Sequence, residues 1–431
     1  VVRAAIEHLP TLVPGAAVVG AVLLGGGEKL AGTLDVGVPV VEGPTPVEAM
    51  TAGLSRFAPD LVFDLSDEPV VDARLRLRLA SVALLAGVAY QGADFRLDPP
   101  PRPHVATKPT IAVIGTGKRT GKTAVSAHLA RTLEEPPVIV AMGRGGPPEP
   151  ELIDPSTFDL SVKGLVALAE QGRHAASDHL EDALTAGVVT IGTRRCGGGL
   201  AGAPVDSTFA AGVELANARP EGLIVLEGSG SAIPPVHADV TVCVVPATAD
   251  PELIAGYLGA YRLLLADLIV VTMAEHGAGP LVQTVRRLAP DTTMVETVLR
   301  PMPLESIAGR RVFYVTTAPE TAGETLVDHL ETVHRATVTG TSHNLARRQQ
   351  LAQDLERIGD ADVVLVELKA AGVDMVARAA LGQGVDVVFC DNRVVTNGGD
   401  GTFENLVQHA AGLAQQRFRR YRGAVRKGMQ R

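Results

Sequence analysis

Residues 111–133 read IAVIGTGKRTGKTAVSAHLARTL. IAVIG is a short uninterrupted apolar run, the mark of a buried strand. The glycine-rich GTGKRTGKT (115–123) follows, and TAVSAHLARTL carries a helical pattern. Strand, glycine-rich loop and helix in that order make a phosphate-binding loop, because successive backbone N–H groups and the helix N-terminus converge on an anion. Gly115, Thr116, Gly117, Lys118, Arg119, Thr120, Gly121, Lys122, Thr123 and Ala124 are the expected nucleotide cradle. Lys122 is expected to reach the β/γ-phosphates and Thr123 to place its hydroxyl on Mg²⁺. Gly121 lets the backbone approach without a Cβ. The spacing departs from G-x-x-x-x-G-K-[ST]: position 116 is threonine, and the first glycine stands one residue earlier.

Downstream, PPVIVAM (136–142), GVVTIG (187–192), EGLIVLEG (221–228), DVTVCVVP (239–246), DLIVVTM (267–273) and TTMVETV (292–298) read as buried strands, most of them separated by helical segments. That alternation predicts a doubly wound α/β domain over 106–305. Upstream, AAVVGAVLL (16–24), VPVV (38–41) and DLVFDLS (60–66) read as strands, and PTPVEAMTAGLSRF and VVDARLRLRLASVALLAG as helices. Together they predict a smaller α/β domain over 1–105 with a parallel sheet. Arg74, Arg76 and Arg78 cannot share one helical face, so at least one should meet solvent. The chain opens on the helical pattern VVRAAIEHL, so the strand expected before that helix is read as missing. DPPPRPHVATKPT (98–110) is a proline-rich linker. RRVFYVTT, ATVTG, ADVVLVELK and VDVVFC predict a third α/β unit over 306–431. Its last 15 residues hold seven basic side chains and no acid. They read as a solvated helix end or, alternatively, as a segment closing over a phosphate ligand or a second subunit.

Composition narrows the function. The 431 residues carry a net charge of −9, which argues against a general polyanion binder. No tryptophan and 3% aromatics exclude stacking platforms for nucleic acid. Three scattered cysteines exclude a disulfide framework or a four-cysteine zinc site and suit the cytoplasm. The uncharged stretch Leu9–Gly27 is broken by Pro10, Pro14, Gly15 and Gly20, so neither a signal nor a membrane span is read there.

A phosphate loop serving a polyanionic substrate needs converging cations. Lys118 and Arg119 lie in the loop, Arg144 follows VIVAM, and Arg194 and Arg195 follow GVVTIG. Each would otherwise be a surface salt-bridge partner. Glu227 ends the strand LIVLE, where a carboxylate facing Thr123 would complete a Mg²⁺ site; otherwise it is structural. Lys369 reaches the site only if the third unit folds back. Glu149 and Glu151 read as solvated loop, Asp178 as a helix N-cap with His179 incidental, and Cys196 as chemically idle. Lys29, in LLGGGEKL (23–30), is a candidate for substrate or interdomain contact.

GTGKRTGKT has the length of the dethiobiotin synthetase phosphate loop, and LIVLEGSG (223–230) resembles that family's strand ending in VEGAGG. MGRGGPPEPELI (142–153), DHLEDALTAGVVTIGTRRCGGGLAGAP (178–204), EGSGSAIPPV (227–236), VELKAAGVD (366–374) and LLGGGEKL narrow this further. Together they resemble the cyclic 2,3-diphosphoglycerate synthetases over nearly the whole chain. The resemblance implies a central doubly wound P-loop NTPase domain of the dethiobiotin synthetase-like type, flanked by smaller N- and C-terminal α/β domains. It implies ATP- and Mg²⁺-dependent formation of a phosphoanhydride within 2,3-diphosphoglycerate, and a homodimer; the composition adds the expectation of a cytoplasmic protein that binds neither nucleic acid nor membrane. Expected catalytic residues are Lys122, Lys118, Arg119 and Glu227. Arg144, Arg194, Arg195 and Lys369 are expected to hold substrate, and Thr123 and Glu227 to hold metal. The rivals are an ATP-dependent ligase for another small acid and a partner-dependent nucleotide-switch ATPase.

Overall fold

The computed structural model describes residues 2–25, 35–369 and 371–428. Lys29 and most of its loop lie outside these. The first unit begins with helix Val2–Leu12. Strand β1 (Ala21–Val22) pairs in parallel with β2 (Val40–Val41). Helix Pro46–Phe57 is capped by Thr45, whose hydroxyl accepts from the Glu48 amide and donates to the Glu48 carboxylate. Strand β3 (Leu61–Phe63) runs parallel to β4 (Ala89–Gln91), which pairs antiparallel with β5 (Arg96–Leu97). The nine-residue strand expected at 16–24 is thus only two residues long, and the expected sheet is two separate pieces. Gly20 explains part of this, since a Cβ there would lie 2.3 Å from the Phe57 ring. The chain packs on a helix instead of pairing, and Val19 stays 51% exposed. Arg74 is the solvent-facing arginine, bonded to Glu252, while Arg76 turns back to Asp64.

Thirteen strands form one sheet: β6 (Thr110–Gly115), β7 (Val138–Gly143), β8 (Glu151–Ile153), β9 (Thr190–Cys196), β10 (Asp206–Ser207), β11 (Ile224–Glu227), β12 (Val240–Pro246), β13 (Leu268–Thr272), β14 (Thr293–Pro303), β15 (Arg311–Val315), β16 (Thr337–Ser342), β17 (Val363–Glu367) and β18 (Asp386–Gly399). The order is β10-β9-β7-β11-β6-β12-β13-β14-β18-β17-β15-β16, with β8 also on β9. From β9 to β14 the strands are parallel. Strand pleat sends Ile111 and Val113 toward helices Lys122–Thr132 and Phe403–Gly428. Ala112 and Ile114 face the opposite layer, with helices Phe209–Asn217, Gly259–Leu265 and Gly279–Leu288. Both faces are covered, which is why these strands read as continuous apolar runs.

The third unit joins this sheet through an antiparallel ribbon, Val295–Pro303 against Gly399–Cys390. Sequence reading ended these strands early, at Val298 and Cys390. β14 pairs with β13 only as far as Glu296, and its next seven residues run past that edge, about 23 Å at 3.3 Å per residue. Pro301 and Pro303 are tolerated because this stretch pairs on one side only. At the far end Asp386–Cys390 pairs in parallel with β17. β17, β15 and β16 therefore run opposite to the central strands, and the carboxyl edges of the two halves face each other across a cleft.

The C-terminal helix returns to the central unit, placing Phe403, Val407 and Ala414 in its core. Arg417 bonds Asp267 and the Asp239 carbonyl, beside the starts of β13 and β12. Tyr421 stacks on His104 with centroids 3.8 Å apart. Arg417 and Tyr421 thus lie at the amino edge of the sheet, opposite its own phosphate loop; the last three residues of the basic segment lie outside the described residues. Among the described residues no helix is long and apolar enough to cross a membrane.

Candidate functional site

The phosphate loop leaves the carboxyl edge of β6. At Gly115 a Cβ would lie 2.8 Å from Thr120 Oγ1 and 2.9 Å from Lys122 Cδ, so glycine is required for the loop to fold over its own lysine. Gly121 has φ +88° and precedes helix Lys122–Thr132 with no side-chain cap, leaving the first-turn N–H groups open to an anion. Thr272 Oγ1 donates to the Thr120 carbonyl at 2.7 Å, and the Thr116 amide to Val244 O at 3.2 Å. The ends of β12 and β13 thereby pin the loop. Lys122 is buried, and its Nζ donates to Gly117 O at 2.9 Å. Desolvation holds its pKa below the ordinary lysine value, with Glu227 and Asp178 opposing.

Glu227 ends β11, the strand beside β6, and is buried. Its carboxyl contacts Thr123 and the fully buried Asp182. Both Asp182 oxygens and Glu227 Oε2 lack a hydrogen-bond donor other than the proton two adjoining carboxyls can share. Burial raises the pKa of both groups, and their mutual repulsion adds to it for Asp182.

Sequence reading missed Asp182. The available signal was spacing: Asp178, Glu181 and Asp182 stand at i, i+3 and i+4, one face of a helix. That helix, Asp178–Ala186, packs against Lys122–Thr132 and turns this face to the site. Its N-cap is Ser177, not Asp178; Asp178 is the first helical residue, its Oδ2 3.4 Å from where a Gly143 Cβ would stand. His179 is buried over Gly192, its Nε2 3.4 Å from Glu151. Glu151 is not solvated loop: it lies in β8 and pairs with Arg173.

The basic loops gather at one corner. A Cβ on Gly230 would lie 3.5 Å from both Arg195 Nη2 and Lys118 Cγ, which puts those side chains next to each other. Arg195 is buried and donates to Ser229 O at 3.0 Å, with its Nε unpartnered. Desolvation and then nearby Arg144 lower its pKa. Arg194 points to the opposite face of β9 and donates to Gly146 O at 2.8 Å. Lys369 closes the far side, its ammonium paired with Glu181. Glu367 accepts from Thr316 and Thr317 at 2.6 Å each. The third unit does fold back over the loop. Cys196 is exposed, and Cys243 and Cys390 are buried.

Three family models match the chain in series: the cyclic 2,3-diphosphoglycerate synthetase N-terminal domain over 1–98, its P-loop domain over 110–298 and its C-terminal domain over 303–393. A cyclic 2,3-diphosphoglycerate synthetase of Rubrobacter xylanophilus is 47% identical over 405 residues, 92% of each chain. The chain belongs to the cyclic 2,3-diphosphoglycerate synthetase family. A synthetase of Thermococcus gammatolerans is 46% identical over 93% of this chain and 95% of its own, and one of Methanothermus fervidus 39% over 94% and 93%. The P-loop model of the cyclic 2,3-diphosphoglycerate synthetases spans the loop, the acidic helix face and Glu227. The C-terminal model spans Thr316, Thr317, Glu367 and Lys369. The cleft is thus built from two of the family's three domains.

Proposed function

We infer that this enzyme is an ATP-dependent ligase that closes 2,3-diphosphoglycerate into its cyclic pyrophosphate, releasing ADP and phosphate. The observation that carries the reading is 47% identity across 92% of the chain to a synthetase of that name. The cleft supports it. Closing the ring brings the phosphates of ATP and of the acid together, which requires positioning and charge neutralisation more than proton chemistry.

In the route we favour, one substrate phosphate oxygen attacks the γ-phosphorus of ATP. The β–γ bridge breaks and ADP leaves. The other substrate phosphate then attacks the activated phosphorus, and inorganic phosphate leaves with the bridging electron pair. The open N–H groups of the loop and Lys122 hold the nucleotide phosphates. In this reading Lys118 and Arg119 follow the transferred group and Arg144, Arg195 and Lys369 hold the acid; Arg194, on the opposite face of β9 and bonded to Gly146 O, is left out of that set.

Mg²⁺ fits the residues present. Thr123, Glu227 and Asp182 offer hard oxygen donors, and three of the carboxyl oxygens have no donor of their own. Among the described residues no group of three or more His, Cys, Asp or Glu is arranged as a complete metal cage. Mg²⁺ commonly needs only one or two carboxylates beside water and phosphate. Bound there, it would offset charge on the phosphate oxygens. The likeness of the central domain to dethiobiotin synthetase, a cytoplasmic location and a homodimer belong to the same proposal.

Phosphorus NMR of the full-length protein with ATP, Mg²⁺ and 2,3-diphosphoglycerate is the test. Anhydride resonances that grow with ADP and phosphate, and are absent without the acid, are expected. Unchanged diphosphoglycerate signals while ATP still binds would transfer the reading to another acid or to a partner-stimulated ATPase.

A further inference from the structure

The third unit has a topological switch point of its own. β15 connects through helix Gly323–Thr332 to β16 on one side, and that helix lies on one face of the sheet. β17, on the other side of β15, leads to β18 through the helical segment Gly372–Gly382, which lies on the opposite face. Adjacent strands whose connections depart in opposite directions open a crevice at their carboxyl ends, where open α/β sheets bind ligands. Here that crevice looks across the cleft at the phosphate loop.

Beside that switch point, between the loops that follow β15 and β16, lies a cavity of about 420 Å³, within the ~300–1,000 Å³ range of small-molecule sites. Its wall includes Thr317 and Glu320 from the loop after β15, His343 and Arg347 from the loop after β16, and Arg119 from the phosphate loop. Arg119 holds φ +59°, a left-handed conformation that costs a non-glycine residue about 1 kcal/mol or more. Among the described residues neither Arg119 nor Arg347 has an acidic partner within 4 Å, whereas Arg348 is bound to Asp374 and Arg357 to Asp354. Two free guanidinium groups from different domains therefore border one cavity, with Glu320 the one acid in its wall.

The Arg347 loop is fixed before any ligand arrives. Asp354 accepts from Ser342 Oγ at 2.7 Å and Asn344 Nδ2 at 2.8 Å. His343 Nδ1–H donates to Ala318 O at 2.9 Å, tying the two loops together. Such preorganisation favours tight binding of a rigid anion. Planar guanidinium forks match phosphate oxygens in pairs.

We propose that the cavity between Arg119 and Arg347 docks one phosphate of the bisphosphorylated acid, leaving the other beside Lys118 and the nucleotide. This rests on the function inferred above and adds the C-terminal residues to the substrate site. It moves Arg119 from the transferred group, which Lys118 then follows alone, to the acid, while Lys122 stays with the nucleotide.

The experiment compares wild type, Arg347→Gln and Arg347→Lys as full-length proteins, matched by circular dichroism and melting temperature. Steady-state turnover is read by phosphorus NMR, and 2,3-diphosphoglycerate binding by calorimetry in the presence of a non-hydrolysable ATP analogue. Arg347→Gln should raise KM and Kd for the acid at least tenfold while KM for ATP stays within twofold. Arg347→Lys should recover part of the loss. An acid KM within twofold of wild type, or equal losses for acid and ATP, would overturn the assignment. If wild type forms no cyclic product, the inferred activity fails, and calorimetry still decides the site. Acid binding that Arg347→Gln weakens keeps it; no acid binding by wild type removes it.

Discussion

The ammonium of Lys369, just past β17, pairs with the carboxylate of Glu181 on the acidic helix of the P-loop domain. The two residues are 188 positions apart and belong to sheet halves that run in opposite directions. Burial pushes Glu181 up to about 7, with Lys369 opposing that rise. The pair is both a clasp across the cleft and the charge balance for the acids below it.

Removing one partner should therefore be worse than removing both. Lys369→Met leaves Glu181 desolvated without a cation and should destabilise the protein by about 2–4 kcal/mol. Lys369→Met with Glu181→Gln should recover most of that. Thermal melts of the four proteins in the double-mutant cycle check it; equal melting temperatures for the single and double variants would rule out the clasp.

Lys122 is expected to separate activity from stability. Its ammonium is buried on the Gly117 carbonyl, with desolvation disfavouring the charged form. Lys122→Met should lower turnover by at least about 10²-fold, the scale of losing a positioned charge on the reacting phosphates. The same change should leave the melting temperature of the nucleotide-free enzyme equal or higher. A large drop in melting temperature would mean that the lysine is mainly structural.

Asp182→Asn replaces one of two buried adjoining carboxyls with an amide that can donate to Glu227. The shared site then no longer has to hold a proton or two like charges. We expect about 1–2 kcal/mol of added stability at neutral pH without nucleotide, together with a raised Mg²⁺ requirement for turnover. Titrating Mg²⁺ in the steady-state assay checks the second outcome, and an unchanged requirement would detach Asp182 from the cation.

His128 should make the fold acid-sensitive. Its Nδ1 accepts from the Val394 amide at 3.2 Å, so that nitrogen carries no proton in the folded state. Burial, reinforced by Arg131, lowers the pKa to about 4 from 6.5. Between these values the unfolded chain binds the extra proton, so stability is full above pH ~6.5 and falls as pH drops toward ~4, by up to about 3 kcal/mol. Melting temperature against pH for wild type and His128→Gln reads this. A slope in that window undiminished by the substitution would show that other groups cause it.

Local chemistry made the phosphate loop and its helix legible, because apolar run, glycines and helical period coincide in one short stretch. Glu227 and the basic loops were readable because strand ends are where such sheets bind ligands. Asp182 and Glu181 were hidden by their type: acids on a helix usually face water, and only tertiary packing turns this face inward. β18 was cut short because DNR and NGG resemble turn sequences, yet the ribbon runs through both. The facing of the two carboxyl edges depends on the β14–β18 pairing direction, which no local pattern specifies.

The return of helix Phe403–Gly428 to the central core also bears on how the protein is made. Ile111, Val113, Val240 and Val242 belong to a layer completed by Phe403, Val407 and Ala414, at the other end of the chain. During synthesis the nucleotide-binding strands emerge long before their cover, so an apolar face waits in water while the third unit is translated. Chaperone occupancy of the nascent chain should persist until the closing helix clears the ribosome, and stop codons that remove this helix should yield aggregates instead of a working P-loop domain.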